Sequence, residues 1–225
     1  MDYIIRPEDP PPGTKKELTH IEQVAFQMFI AGFDPIQITF YAALFFLLKH
    51  PQILARLTKE IRNSFNNYDE ITPDALSNLK YLHAVISESL RAHLTIATGL
   101  PRISSGAIVD GVVCHLSSFK AMRGERYLRD PLGFHPERWL SSEHPLYDTR
   151  YADDNLKSFF PFGLGPRKCT GREIAWSQTR LFLGKVLWSF DLEGVRGHEK
   201  SFDEFKVYVM WNRPELWVRY SPVDR

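Results

Sequence analysis

The stretch from Phe162 to Gly171, Phe-Gly-Leu-Gly-Pro-Arg-Lys-Cys-Thr-Gly, constrains this chain more than any other. It sets Cys169 in a glycine-rich turn, with Arg167 two residues before it and a helical pattern directly after. Gly163, Gly165 and Gly171 open backbone conformations closed to other residues, so amide N–H groups can turn towards the sulfur. A helix starting near Gly171 points the positive end of its dipole at the same atom. Both effects favour the thiolate, the form that binds metal.

Such a thiolate suits a nucleophile, a zinc ligand or an axial ligand of haem iron. Zinc wants further Cys or His at short spacing, and the chain has no C-x-x-C or H-x-x-x-H. A cysteine hydrolase needs an activated histidine, and the eight histidines form no constellation with Cys169. A buried structural cysteine beside a loop arginine is the plain alternative. The spacing F-x-x-G-x-R-x-C-x-G fixes five positions and is far more specific than a lone glycine motif.

Phe162, Gly165, Arg167, Cys169 and Gly171 resemble the haem-binding loop of the cytochrome P-450 family, the haem-thiolate monooxygenases. The resemblance implies Cys169 as the axial ligand of haem iron and Arg167 as the partner of a haem propionate. Phe162, Gly163, Gly165 and Gly171 then shape the cofactor loop. Leu100-Pro101-Arg102 resembles the segment whose arginine reaches a propionate, a task suited to a bidentate guanidinium. Ala31-Gly32-Phe33-Asp34 resembles the oxygen-binding part of the family's central helix. There Ala31 and Gly32 leave room beside the iron, and Asp34 relays protons.

Element order agrees with that resemblance. A flexible start over 1–17 leads to a central helix over 18–50, bent or broken near Pro35. Pro51 opens a second helix running to about Phe65. Thr72-Pro73 is an N-cap followed by a first-turn proline, and Leu79, Leu82, Ile86 and Leu90 carry one helix over 72–93. Ile103, Ile108, Val109, Val112 and Val113 among glycines predict short strands, and 159–191 holds the cysteine loop and its following helix. A hairpin around Asn212-Arg213-Pro214 is expected to pair Val207 and Val209 with Trp217 and Tyr220. The fold class is mainly α with a minor β part, corresponding to the C-terminal half of the cytochrome P-450 fold.

Glu88 and Arg91 lie three apart on a helix, and Arg138 sits in Pro136-Glu137-Arg138-Trp139. The three resemble the family's buried Glu-Arg-Arg network, which is tolerable only if every charge is paired.

A chain of 225 residues, 44% apolar, suffices for one core. Its net charge of +1 gives no reason to expect nucleic acid as a partner. Two cysteines far apart make no disulfide framework, which suits a reducing, intracellular compartment. No signal peptide is apparent. The apolar stretch Ala25 to Leu48 nearly reaches membrane-spanning length, but Gln27, Asp34, Pro35 and Gln37 read better in a buried core helix.

The resemblance implies an oxidoreductase that inserts one oxygen atom of O2 into a small lipophilic substrate. Electrons come from a reductase that uses NADPH. Full-length members sit on the endoplasmic reticulum membrane through an N-terminal anchor, and this stretch of chain shows no obvious anchor. Likeness to fungal members implies secondary metabolism. Several positions depart from the pattern. Pro35 stands where most members carry a proton-delivering threonine, removing a hydroxyl and a backbone donor together. Ala92-His93-Leu94-Thr95 replaces the usual prolines, and Val112 to Met122 looks shortened. The expectation from Pro35 is slow turnover, reducing equivalents lost to peroxide, or chemistry without activated dioxygen. The rival readings are a non-catalytic haem-binding remnant, an oxygen-independent haem-thiolate isomerase or dehydratase, and a membrane-anchored interaction protein using residues 25–48.

Overall fold

A computed structural model describes residues 13–99, 117–208 and 210–224, together with the backbone of 102–103 and 113–114. The expectations for Leu100, Pro101, Ile108, Val109, Val112 and Val209 lie outside the described residues, as do those for the side chains of Arg102, Ile103, Val113 and Cys114.

Helix α1, Lys15–Lys49, is the spine. Thr14 and Glu17 form a capping box at its start, so the helix begins inside the segment expected to be flexible. The break expected at Pro35 does not occur, and the helix is continuous through that residue. Its second half buries Ile38, Ala42, Ala43, Leu44, Phe45, Phe46 and Leu47. Its first half leaves Phe26, Phe29 and Phe33 exposed. By length and composition α1 alone among the described helices would suffice to cross a membrane.

Helix α2, Pro51–Ser64, puts Ile53, Leu57 and Ile61 on one buried face at spacings of four. The single helix expected over 72–93 is in fact two, α3 at Pro73–Ser77 and α4 at Lys80–Ala92. Leu79 is extended between them (φ −77°, ψ 107°). Glu60 of α2 then caps α4, its carboxylate accepting from the Tyr81 and Leu82 N–H groups at 2.9 and 2.8 Å. A cap supplied from another helix leaves no local signature in the sequence.

Strands β1, Arg102–Ile103, and β2, Val113–Cys114, pair antiparallel. After the short helix α5, Ser118–Ala121, irregular chain leads to the cysteine loop and helix α6, Arg172–Ser189. α6 buries Trp176, Thr179, Leu183 and Leu187 against α1, α2 and α3. Gly184 sits at the closest approach, where an added Cβ would lie 2.6 Å from Leu76 Cδ2. Arg62 ends the helix by donating to the Leu187 and Phe190 carbonyls, both at 3.0 Å, and the chain turns directly into β3, Phe190–Gly194. β3 pairs with β4, Val218–Pro222, which corrects the hairpin expected around Asn212. Val207 instead bridges Trp211, and Tyr220 faces Leu192.

A buried ionic cluster locks α4 to the chain behind it. Arg91 uses all five of its donors: Nε and Nη2 on the Glu88 carboxylate at 2.8 and 2.9 Å, the rest on the Met122, Pro131 and Gly133 carbonyls. Glu88 also accepts from the His135 N–H at 2.8 Å, from Arg138 Nε and from Trp139 Nε1 at 2.9 Å. Arg138 further engages Asp154 and the Arg129 and Asp130 carbonyls. Burial alone would push the Glu88 carboxyl up, but Arg91, Arg138 and the His135 N–H outweigh it and hold it below the ordinary carboxylate range.

His93 ends α4 with both ring nitrogens buried and unpartnered among the described residues. It packs against Phe205 and Trp211 at 5.2 and 4.8 Å. Burial, with a lesser contribution from the Arg123 cation, lowers its pKa to about 4.

These two sites predict different acid responses. Glu88→Ala leaves buried guanidinium charge uncompensated and should lower unfolding free energy by about 3–5 kcal/mol in urea titrations, whereas Lys200→Ala at an exposed pair should change nothing measurable. The Glu88 contribution is present above its ordinary pKa and lost as pH falls through its lower folded value. His93 takes up a proton more readily when unfolded, so it costs stability as pH drops from 6.5 towards about 4. The full cost is about 3 kcal/mol. His93→Phe should flatten that part of the profile and leave the more acidic limb in place.

Candidate functional site

The cysteine loop is built by its own backbone. Gly163 and Gly165 both take φ of +72°, a region that side-chain-bearing residues rarely adopt. The Cys169 N–H donates to the Phe162 carbonyl at 2.7 Å, and the Lys168 N–H to Gly165 at 3.1 Å. The loop is thereby closed on itself, with Cys169 exposed at its end. Gly171 caps α6, and a Cβ there would approach the Cys169 sulfur to 3.9 Å.

The loop and the middle of α1 line one cavity of about 580 Å³. The loop contributes Cys169, Arg167, Phe162, Gly163 and Gly171 to the lining, and α1 contributes Ala31, Gly32, Pro35, Ile36 and Thr39. A Cβ built on Gly32 meets nothing within 4 Å, so open space adjoins the helix there. Ile86, Leu90 and Leu94 close one side and Ile174 and Trp176 another. Trp176 is held in place by His83, stacked on it at 4.7 Å, and by the Arg180 guanidinium over its ring at 5.1 Å. Burial and the nearby Arg180 and Lys80 charges keep His83 below the ordinary imidazole range, so it stacks as a neutral ring.

A second hollow, of about 720 Å³, opens beside Lys49 and His50. Two ion pairs lie within it, Arg56 with Glu137 at 2.9 Å and Arg150 with Asp148 at 2.6 Å. Among the described residues no cysteine and no residue of the cysteine loop lines it.

The structure therefore gathers Cys169, Arg167, Phe162, Gly163, Gly171, Ala31 and Gly32 around one cavity. Gly165 supports the loop from outside the lining, and Glu88, Arg91 and Arg138 form the cluster behind it. Asp34 is not brought into the wall. Its carboxylate meets Arg213 of the C-terminal segment at 3.2 Å, and Arg213 also donates to Gln37 at 2.7 Å. Arg102 contributes only a described backbone in β1. Motif reading did not single out Trp176, Thr39, Ile86, Leu90 or Ile174. The apolar periodicity of α4 and α6 carried that signal, because Ile86 and Leu90 are one turn apart.

The cavity suits a haem. Its volume and mostly apolar lining fit a flat macrocycle. Cys169 supplies a soft ligand; among the described residues no histidine lines the cavity and Arg167 has no ion-pair partner, which leaves its charge free for a carboxylate. No group of three or more His, Cys, Asp or Glu that could hold a bare metal ion occurs among the described residues.

Comparison with known proteins agrees with this geometry. The family model described as Cytochrome P450 matches residues 3–218. The chain is 47% identical over 229 residues to the cytochrome P450 monooxygenase TwmD of Talaromyces wortmannii, covering 99% of this chain and 45% of that relative. It is 37% identical to the cytochrome P450 monooxygenase poxC of Penicillium oxalicum, covering 85% of this chain and 42% of that protein. The heme domain of cytochrome P450DA superposes with a TM-score of 0.76 at 21% identity, over 97% of this chain and 47% of that one, a likeness of fold. The chain thus spans less than half the length of these relatives. Motif, fold and relatives agree, and the chain belongs to the cytochrome P450 family.

Proposed function

We propose that this chain is the haem-thiolate portion of a monooxygenase acting on a small lipophilic substrate. One observation carries the reading: Cys169 of the loop and Gly32 of α1 line the same, mostly apolar cavity. In this assignment Cys169 ligates the iron, and Arg167 and Arg102 neutralise the propionates. The closed loop from Phe162 to Gly171 presents the sulfur at the cavity, where a bound haem would cover it. Ala31 and Gly32 keep the α1 wall low enough to admit substrate. Leu90, Leu94 and Ile36 exclude water and favour an apolar ligand. When bound, the haem would supply the redox chemistry that places one oxygen atom of O2 in the substrate and releases the other as water, using two electrons and two protons.

Electrons would come from NADPH through a reductase, as the family's general arrangement implies. An intracellular setting at the endoplasmic reticulum membrane and a role in secondary metabolism belong to the same proposal. They are supported by the fungal relatives and the two-cysteine composition.

A second reading is favoured by the distal wall. Pro35 offers no hydroxyl there, and Arg213 occupies Asp34, the acid assigned to proton relay. Both suit an oxygen-independent haem-thiolate isomerase or dehydratase. That enzyme would turn over a hydroperoxide without NADPH, whereas the monooxygenase requires NADPH, reductase and O2.

Haem loading tests the common core of both readings. The reduced, carbon-monoxide-treated chain should show a strongly red-shifted Soret band, lost in Cys169→Ala. Arg167→Leu should weaken haem retention about tenfold without moving the band, since it removes a charge-assisted contact rather than the ligand. A band unchanged by Cys169→Ala would exclude that residue as the ligand.

A further inference from the structure

An α-helix satisfies each carbonyl with the N–H four residues ahead, and proline has no N–H. Pro35 lies inside α1, so the Ala31 carbonyl loses its helical donor. A serine or threonine at that position can also donate its hydroxyl to the carbonyl four residues back, and proline cannot. Ala31 and Pro35 both line the cavity, and Gly32 beside them opens onto free space. Thr39, the next hydroxyl along the same face, has committed its proton, donating to the Pro35 carbonyl at 2.9 Å. Its oxygen retains only lone pairs for a ligand. Asp34, the acid within this turn, is turned to Arg213 instead.

The face that α1 presents to the cavity therefore accepts hydrogen bonds and donates none through these groups. We infer that this wall selects a lipophilic ligand carrying a hydroxyl or amide N–H, which the Ala31 carbonyl receives. This deepens the haem-thiolate reading by naming a substrate class, and it rests on that reading for the position of the ligand. A carbonyl stripped of its helical partner costs free energy when dried by an apolar ligand, so a purely hydrocarbon or ether occupant is penalised where a donor is not.

A matched pair of probes tests it: 4-phenylcyclohexanol and its methyl ether, which differ in the donor. Binding is measured by titration calorimetry on the native chain and on Pro35→Ala, with haem content read from the absorption of the same samples. Pro35→Ala returns an N–H to Ala31 and relieves a helix-interior proline, so the variant should fold at least as well as the native chain. Pro35→Thr serves as a second repair, adding the back-bonding hydroxyl. The ratio of alcohol to ether affinity should be about 3- to 10-fold higher in the native chain than in either variant. An equal ratio in all three, or no binding of either probe to the native chain, overturns the acceptor wall. If haem is taken up and the ratio does not move, the wall falls and the haem reading stands. If the ratio moves as expected in a chain that takes up no haem, the wall stands and the haem reading falls.

Discussion

The Glu88 carboxylate is the point on which the rest of the structure turns. Its two oxygens receive Arg91, Arg138, the His135 N–H and Trp139. Burying three charges in a core is unfavourable unless each is paired, and here every donor of Arg91 is used. The cluster ties α4 to residues 122–139, and Arg138 carries the connection on to Asp154. Beyond Asp154 the chain runs directly into the cysteine loop. The cluster thereby anchors both α4, which lends Ile86 and Leu90 to the cavity, and the chain that precedes the cysteine loop.

The cavity draws on the same economy of elements. α1 buries one half in the core and uses its middle as a ligand wall. Gly32 supplies space and Pro35 removes a donor without breaking the helix. The C-terminal segment braces this helix from outside, through Arg213 on Asp34 and Gln37 and through the Tyr41 hydroxyl on the Pro214 carbonyl at 2.6 Å. Trp211 fastens the same segment to the cavity's side by donating to the Leu94 carbonyl at 2.6 Å. The groups that shape the pocket therefore come from chain positions far apart, held by a few directional bonds.

Much of this was legible in the sequence where the cause is local. The cysteine turn follows from glycines at fixed spacing, and the α2 boundaries from Pro51 and the apolar face of Ile53, Leu57 and Ile61. Features with distant causes were hidden. The break between α3 and α4 depends on Glu60 reaching across from α2. The end of α6 depends on Arg62, and the partner of β4 is β3, not the segment nearest in sequence. Asp34 has a family motif around it, yet a residue 179 positions away decides where its carboxylate points. Proline in a helix suggested a break, yet α1 runs unbroken through Pro35.

The most direct measurement is the iron-edge X-ray absorption spectrum of the haem-loaded chain. A single sulfur bound to iron in the native protein, absent in Cys169→Ala, is the result that a thiolate from this loop predicts. Nitrogen or oxygen as the only axial ligand in the native protein, or sulfur persisting in Cys169→Ala, would contradict it.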